Sequence, residues 1–474
     1  MIKEDFNLNL AKNIYFVGIG GIGQSALALL LIGQGHKIHG SDLKENASTK
    51  KLKEMGASIK MGHTSSNITP IIDAVVVSTA ISSNNSELTE AKNLGIPVLH
   101  RSEMLALIVK SHNLTAVTGS HGKTTTTSLI ASILEEAKLD PTVVVGGIWG
   151  NINSNAKLGS SNYAVIEADE SDKSFLNYYP SIAVITNIEY EHADHYNSFD
   201  DLKNNFKSFI ENVSNSGLVI MSEDDENCQL LKETINKTTK IYGIKGSGDV
   251  IAKDIYYNNG ITYFDVYLLL NEKGYEKIGN CSINTLGEHN VKNALAAICV
   301  SLTLGIDFKT ISNGLNKWQG VGRRLEVIST GTFELLNNKK IEDLTIIQDY
   351  GHHPTEIAAT INSLKKAHNK RIVTIFQPHK YSRTKAFLSE FCKSLSLSDY
   401  LFITDIYPAS EQPIKGFSIL NLLGELEESE YRSFNFFNEY EDLRGLLSIY
   451  LKRGDILLIL GAGDIYTIGE KLTR

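Results

Sequence analysis

Cysteine, proline and positive charge are all in short supply in this chain of 474 residues. It has four cysteines and eight prolines. Cys228, Cys281, Cys299 and Cys392 lie far apart, with neither the spacing of a metal-ligand set nor that of a disulfide framework. That pattern fits a reducing cytosol. No Pro-rich stretch marks a linker, and no apolar run is long enough to span a bilayer. Lys3, Glu4 and Asp5 stand before Phe6 where a leader would need apolar residues. The expected location is therefore the cytoplasm. Lys and Arg number 46 against 54 Asp and Glu, a net charge of −8. The chain thus lacks the overall basic field of a nucleic-acid binder, and neither nucleic acid nor membrane insertion is expected.

A hydrophobic content of 42% with 21% charged residues describes globular domains with ample core. The length calls for two to three of them. Short β-branched runs alternate with helical patterns almost throughout, which argues for α/β layers around mostly parallel sheets. The pattern predicts three blocks: residues 1–109, 110–322 and 323–474. The first opens on the apolar run Ile14 to Val17, and the second on Leu114 to Val117. The third follows Gly320-Val321-Gly322, the clearest joint in the chain.

The most informative string is Thr118-Gly119-Ser120-His121-Gly122-Lys123-Thr124-Thr125. It lies between an apolar strand and a helical pattern, an arrangement that aims backbone N–H groups at a polyphosphate. Lys123 is placed to reach the terminal phosphates and Thr124 to bind Mg²⁺. The spacing Gly-x-x-Gly-Lys-Thr is two residues shorter than the usual P-loop, so it is read as a variant loop. ATP with Mg²⁺ is the expected pair of cofactors.

Gly18-Ile19-Gly20-Gly21-Ile22-Gly23 stands between the first strand and a helix opening at Gln24 and Ser25. It matches the dinucleotide fingerprint, and Asp42 follows the second strand, near where an acid would meet a ribose hydroxyl. The turn by itself leaves two readings open: a nicotinamide dinucleotide, or the diphosphate of a nucleotide sugar. The separate ATP loop favours the second.

Carboxylates crowd Glu167-Ala168-Asp169-Glu170-Ser171-Asp172, and the next strand leads through Thr186-Asn187 to Glu189, Glu191 and His192. Two strand ends thus bring acid and imidazole to the sheet edge that carries Thr124, as a metal site requires. In the third block, Asp349-Tyr350-Gly351-His352-His353 and Gln377-Pro378-His379-Lys380-Tyr381-Ser382-Arg383 end successive strands. They form a polar cleft in which Arg383 can hold a carboxylate bidentately.

Taken together, these strings resemble the Mur ligases, the ATP-dependent amide-forming enzymes of peptidoglycan precursor synthesis. The shared pattern also includes Gly287-Glu288-His289-Asn290 with Asn293-Ala294, Gly322-Arg323-Arg324 and Tyr407-Pro408-Ala409, in order over nearly the whole chain. The resemblance implies three domains: Rossmann-like, central P-loop ATPase-like, and C-terminal Rossmann-like. It further implies that UDP-N-acetylmuramate and L-alanine are joined through an acyl phosphate, by a monomer or homodimer. A sister reaction that recycles murein tripeptide onto the same sugar shares much of the pattern.

On this resemblance Lys123, His192, Glu167 and Arg383 are the catalytic set, with Thr124, Glu167 and His192 on the magnesium. Gly119 through Thr125 cradle ATP. Asn187, His289, Asn290 and Asn293 match adenine-pocket positions, and Arg324 and Asp349 match ATP contacts. Gly18, Gly20, Gly21, Gly23, Gln24, Ser25, Asp42 and His121 fall to the UDP-sugar, and Tyr350, His352 and Arg383 to alanine. Lys380 stands where some relatives have arginine; it brings charge without a planar fork.

Overall fold

The computed structural model describes residues 6–191, 195–270, 274–336, 339–409, 411–429 and 431–473. Three sheets organise them. The first is entirely parallel in its pairings, with order β3-β2-β1-β4-β5, formed by β1 (Asn13–Val17), β2 (Lys37–Asp42), β3 (Ser58–Met61), β4 (Ala74–Val77) and β5 (Val98–His100). Its order reverses between β1 and β4, a switch point that opens a crevice at the carboxyl ends of the strands.

The second sheet has ten strands. They are β6 (Asn113–Thr118), β7 (Thr142–Trp149), β8 (Ser154–Lys157), β9 (Tyr163–Glu167), β10 (Ile182–Ile185), β11 (Leu218–Ser222), β12 (Thr239–Gly243), β13 (Val250–Asn258), β14 (Ile261–Leu269) and β15 (Tyr275–Ile283). Strand β6 lies between β10 and β9 and runs parallel to both, so Thr118, Ile185 and Glu167 all reach one edge. Strands β13 to β15 run through a polar stretch of the chain, with Asn259 and Gly260 at the turn between β13 and β14.

The third sheet comprises β16 (Glu326–Glu334), β17 (Lys340–Asp349), β18 (Ile372–Phe376), β19 (Tyr400–Ile403), β20 (Phe434–Phe436) and β21 (Ile456–Leu460). Its order is β16-β17-β21-β18-β19-β20; β16 pairs antiparallel, and the remaining pairings are parallel. Two buried clusters, one around Ile357, Phe376 and Leu422 and one around Ile346, Leu443 and Leu457, cover its faces.

The fold is thus α/β with three sheets, but they fall into two compact units. One holds residues 1–253, 265–281 and 292–319; the other holds 254–264, 282–291 and 320–474. From Gly320 onward the described chain lies in the second unit. The boundary expected near Val109 does not separate compact units, for physical reasons. The helix Ile22–Gly33 packs on β8, where a Cβ on Gly33 would lie 2.8 Å from Leu158, and Asn155 Nδ2 donates to the Ile22 carbonyl. One buried cluster runs from Ile14 through Leu114 and Ile166 to Ile241. Among the described residues, no helix is long and apolar enough to cross a membrane.

Candidate active site

In the helix Lys123–Glu136 the first residue is followed by four threonines, poor helix formers because β-branching restricts χ1. Packing rather than propensity holds it: every residue from Thr124 to Leu134 is buried. Its N-cap is Gly122, at φ +82°, which offers no side chain to the first N–H groups. Those donors are left for a ligand. Asn46, Ser198, Asp225 and Asp307 cap their helices with side chains.

Neighbours fix the loop closely. Asn187 accepts the His121 N–H on Oδ1 and donates from Nδ2 to the His121 carbonyl, both at 2.9 Å. Thr186 Oγ1 donates to the His121 carbonyl at 2.6 Å. Gly119 takes φ +130°, and a Cβ there would sit 2.1 Å from Thr186 Oγ1. A Cβ on Gly122 would sit 2.4 Å from Asn293 Oδ1, so Asn293 packs directly on the loop. Asn187 is therefore a clamp on the loop, with both amide ends engaged there. Thr186, which the sequence reading did not single out, shares that task.

Lys123 Nζ donates to the carbonyls of Gly119 (2.6 Å) and Ser120 (3.1 Å) and lies 2.8 Å from Glu170 Oε2. Burial alone would lower its pKa, but Glu170, Asp169 and Glu167 outweigh that and keep the ammonium charged. Thr124 Oγ1 donates to Glu167 Oε1 at 3.1 Å, and the Gly146 N–H donates to Oε2 at 2.7 Å. Burial pushes the Glu167 carboxyl up, against the pull of Lys123. His192 lies outside the described residues. His121 Nε2 stands 3.4 Å from Glu189 Oε2.

The glycine turn of the first sheet is built on the same plan with different means. Gly18 and Ile19 donate to the Ser41 carbonyl (2.9 and 3.0 Å), and Gly20 donates to Asp42 Oδ2 at 2.8 Å. Gly21, the N-cap of the following helix, again offers no side-chain cap. The turn opens on a cavity of about 590 Å³, lined by Gly18, Gly20, Gly21, Gly23, Gln24 and Asp42 on one wall and by Gly146, Glu167 and Asp169 on the other. Gln24 is buried; its amide nitrogen donates to the carbonyls of Val17 and Val76, and its Oε1 has no partner. Ser25 bonds back to the Ile22 carbonyl, and neither Ser25 nor His121 reaches this cavity.

The second unit carries its own polar cleft at the ends of β17, β18 and β21. Asp349 accepts the N–H groups of Leu325 and Gly351, both at 2.8 Å. Burial raises its carboxyl, opposed by Arg324. Arg323 and Arg324 lie 4.8 and 5.0 Å from the Tyr350 ring centre. The rings of Tyr350 and His352 meet edge-on at 5.3 Å, His352 and His379 follow at 5.8 Å, and His379 stacks on Tyr407 at 5.5 Å. Arg383, buried, approaches His379 Nδ1 at 3.4 Å. Burial, reinforced by Arg383 and Lys380, lowers the His379 pKa to about 4. The structure thus brings Tyr350, His352 and Arg383 together and adds His379 between them. Arg323, whose Nη2 donates to the carbonyls of Gly461 (2.9 Å) and Gly463 (3.1 Å), is a further member. His289 and Asn290 sit in this unit, where Asn290 Nδ2 donates to the Leu286 carbonyl at 2.8 Å.

An uncapped helix with a buried lysine, facing a carboxylate that also walls a diphosphate-type crevice, defines an α/β enzyme handling two phosphorylated ligands. Comparison with known proteins sharpens that class. Models of the Mur ligase family match along the chain: the catalytic domain over residues 13–113, the middle domain over 117–301 and the glutamate ligase domain over 331–463. The chain belongs to the Mur ligase family. It is 43% identical over 461 residues to the UDP-N-acetylmuramate–L-alanine ligase of Desulforapulum autotrophicum, covering 97% of this chain and 98% of that protein. The enzyme of the same name from Dictyoglomus turgidum is 42% identical over 466 residues, covering 98% and 96%. Among solved structures, the UDP-N-acetylmuramate–alanine ligase of Thermotoga maritima superposes with a TM-score of 0.80 at 28% identity, over 97% of this chain and 98% of that one.

Proposed function

We propose that this chain joins L-alanine to the lactyl carboxylate of UDP-N-acetylmuramate in the cytoplasm, cleaving ATP to ADP and phosphate, as a step of peptidoglycan precursor synthesis. The observation that carries this reading is the double position of Glu167. It accepts from Thr124 at the start of the phosphate-loop helix and also walls the cavity of the Gly18–Gly23 turn. A phosphate donor on the first and a UDP-sugar on the second would meet there.

A carboxylate is a poor electrophile, so the reaction is read in two steps. The lactyl oxygen attacks the γ-phosphorus, the bond to the β-bridging oxygen breaks, and ADP leaves. The alanine nitrogen then attacks the acyl carbon, the C–O bond to phosphate breaks, and the nitrogen gives up a proton. Lys123, kept charged by the surrounding acids, offsets the repulsion between two approaching anions. Thr124 and Glu167 present hard oxygens 3.1 Å apart, a donor set that suits magnesium. When bound, the ion supplies further neutralisation of phosphate charge.

In this reading Gly119 to Thr125 hold the phosphates, with Asn187, His289, Asn290, Asn293, Arg324 and Asp349 serving ATP. Arg383 holds the alanine carboxylate beside Tyr350 and His352. Gly18, Gly20, Gly21, Gly23, Gln24 and Asp42 serve the UDP-sugar, and the chain divides functionally at 1–109, 110–322 and 323–474.

The test is phosphate release from ATP and Mg²⁺ with UDP-N-acetylmuramate, with and without L-alanine, and with Lys123→Ala as control. Release that needs both substrates and is lost in the variant supports the reading. Release with murein tripeptide but not alanine would move it to the recycling reaction.

A further inference from the structure

The cavity at the glycine turn has an electrostatic problem. Its described lining includes three carboxylates, Asp42, Glu167 and Asp169, yet the substrate proposed above brings a diphosphate and a carboxylate of its own. Arg101 is the single cation among the described lining residues. It stands at the start of the helix Arg101–Val109, just after β5.

Its placement is specific. A Cβ on Gly23 would lie 3.4 Å from Arg101 Cδ and 3.5 Å from Nη1, so the guanidinium lies against the first turn of the helix Ile22–Gly33. That is the positive end of a helix dipole, where a cation is disfavoured unless an anion joins it. Two anions do so here: Arg101 Nη2 lies 3.0 Å from Asp169 Oδ2 and 3.8 Å from Asp172 Oδ2. Close by, Gln24 is buried with Oε1 unpartnered and lines the same cavity, a polar group still awaiting a donor.

We infer that Arg101 is a substrate-binding residue: its guanidinium, parked on Asp169 and Asp172, receives the diphosphate of the UDP-sugar at the first turn of the Ile22–Gly33 helix. The inference rests on the UDP-sugar reading of this cavity. A Cβ at Gly23 would only touch the arginine side chain, so the close approach leaves room for a methyl group but would be crowded by a larger substituent. Arginine suits the task because its planar fork can bridge a carboxylate and a phosphate oxygen at once, which an ammonium cannot.

The experiment is direct titration of the full-length protein with UDP and with UDP-N-acetylmuramate, alongside steady-state kinetics, for wild type, Arg101→Gln, Arg101→Lys and Asp169→Asn. Arg101→Gln should weaken UDP and UDP-sugar binding by on the order of 30-fold, as expected for a charge-assisted contact of ~2 kcal/mol. Its KM for ATP should stay within about twofold, and Arg101→Lys should recover part of the loss. Asp169→Asn separates binding from bracing. If Arg101 binds ligand, removing its resting partner leaves UDP affinity equal or tighter. If Arg101 only ties β5 to the acidic string, Asp169→Asn loses affinity as Arg101→Gln does, and the inference falls. Unchanged UDP affinity in Arg101→Gln overturns it outright, whatever reaction the enzyme performs. Conversely, Arg101-dependent UDP binding without alanine ligation would overturn the proposed reaction and leave this inference standing.

Discussion

The two glycine cradles of this chain share one design and differ in one residue class. Both follow a parallel strand, both open a helix whose N-cap is glycine, and both leave the first N–H groups without a side-chain cap. The Thr118–Thr125 loop carries its own lysine, held charged among three acids. The Gly18–Gly23 turn carries none, and Arg101 comes to it from the end of another strand. The comparison separates recognition from chemistry. Backbone donors and a helix dipole suffice to hold an anion, whereas transferring a phosphoryl group also needs a cation fixed where charge develops.

The strongest way to break that distinction is Lys123→Ala. Phosphate release should fall by about 10³-fold, the scale of a lost preorganised electrostatic contact, while UDP-sugar affinity changes little. A parallel fall in UDP-sugar affinity, measured by titration, would mean that the lysine organises both cradles. The glycines offer the next contrast. Gly119→Ala places a Cβ 2.1 Å from Thr186 Oγ1 at φ +130°, and should cost about 2–4 kcal/mol in denaturant unfolding. Gly20→Ala, with no positive φ, meets only side-chain atoms, Asn46 Nδ2 at 2.6 Å, Thr49 Cγ2 at 2.8 Å and Asp42 Oδ2 at 2.9 Å, and should cost less, about 1–2 kcal/mol. Equal losses would show that both turns are equally rigid.

Much of this was legible in the sequence because it is local. Strand, glycine and helix appear in order around both cradles, and the apolar runs Ile14 to Val17 and Leu114 to Val117 fall within the strands Asn13–Val17 and Asn113–Thr118. What escaped is long-range. Thr186 props the loop from 65 residues away, and Arg101 meets Asp169 across 68. Nothing in the spacing of either residue announces its partner. Gly23 held a faint signal, since a third glycine in such a turn marks a close approach. The near-merger of the first two blocks was hidden for the same reason: it depends on Asn155 and Leu158 packing against a helix more than 100 residues upstream. The antiparallel edge strand Glu326–Glu334 was also missed; its alternating intermediate and exposed residues give a weak apolar signal.

A third strand-end site, built without a glycine cradle, sharpens the contrast through pH. His379 has its pKa lowered to about 4 by burial and by Arg383 and Lys380. The unfolded chain therefore binds more protons than the folded one between roughly pH 6.5 and 4. Stability is full above that window and is lost as pH falls through it, by roughly 3 kcal/mol for a shift from 6.5 to about 4. His379→Gln should flatten this slope in urea unfolding at pH 7, 6, 5 and 4. An unchanged slope would place the titration elsewhere.

The smallest expected effect concerns the acid in the first turn. Asp42 Oδ2 accepts the Gly20 N–H at 2.8 Å, and in the phosphate loop Asn187 Oδ1 accepts the His121 N–H at 2.9 Å. A neutral amide thus does in one cradle what a carboxylate does in the other. If Asp42 serves mainly to hold the turn, its charge is dispensable: Asp42→Asn should leave the KM for UDP-N-acetylmuramate within about threefold. Asp42→Ala, which removes the acceptor, should raise it by about tenfold. Should the asparagine variant fail as badly as alanine, the carboxylate would be acting on the ligand itself. The ribose contact drawn from the fingerprint would then outrank the turn-holding role, and the likeness between the two clamps would be one of geometry alone.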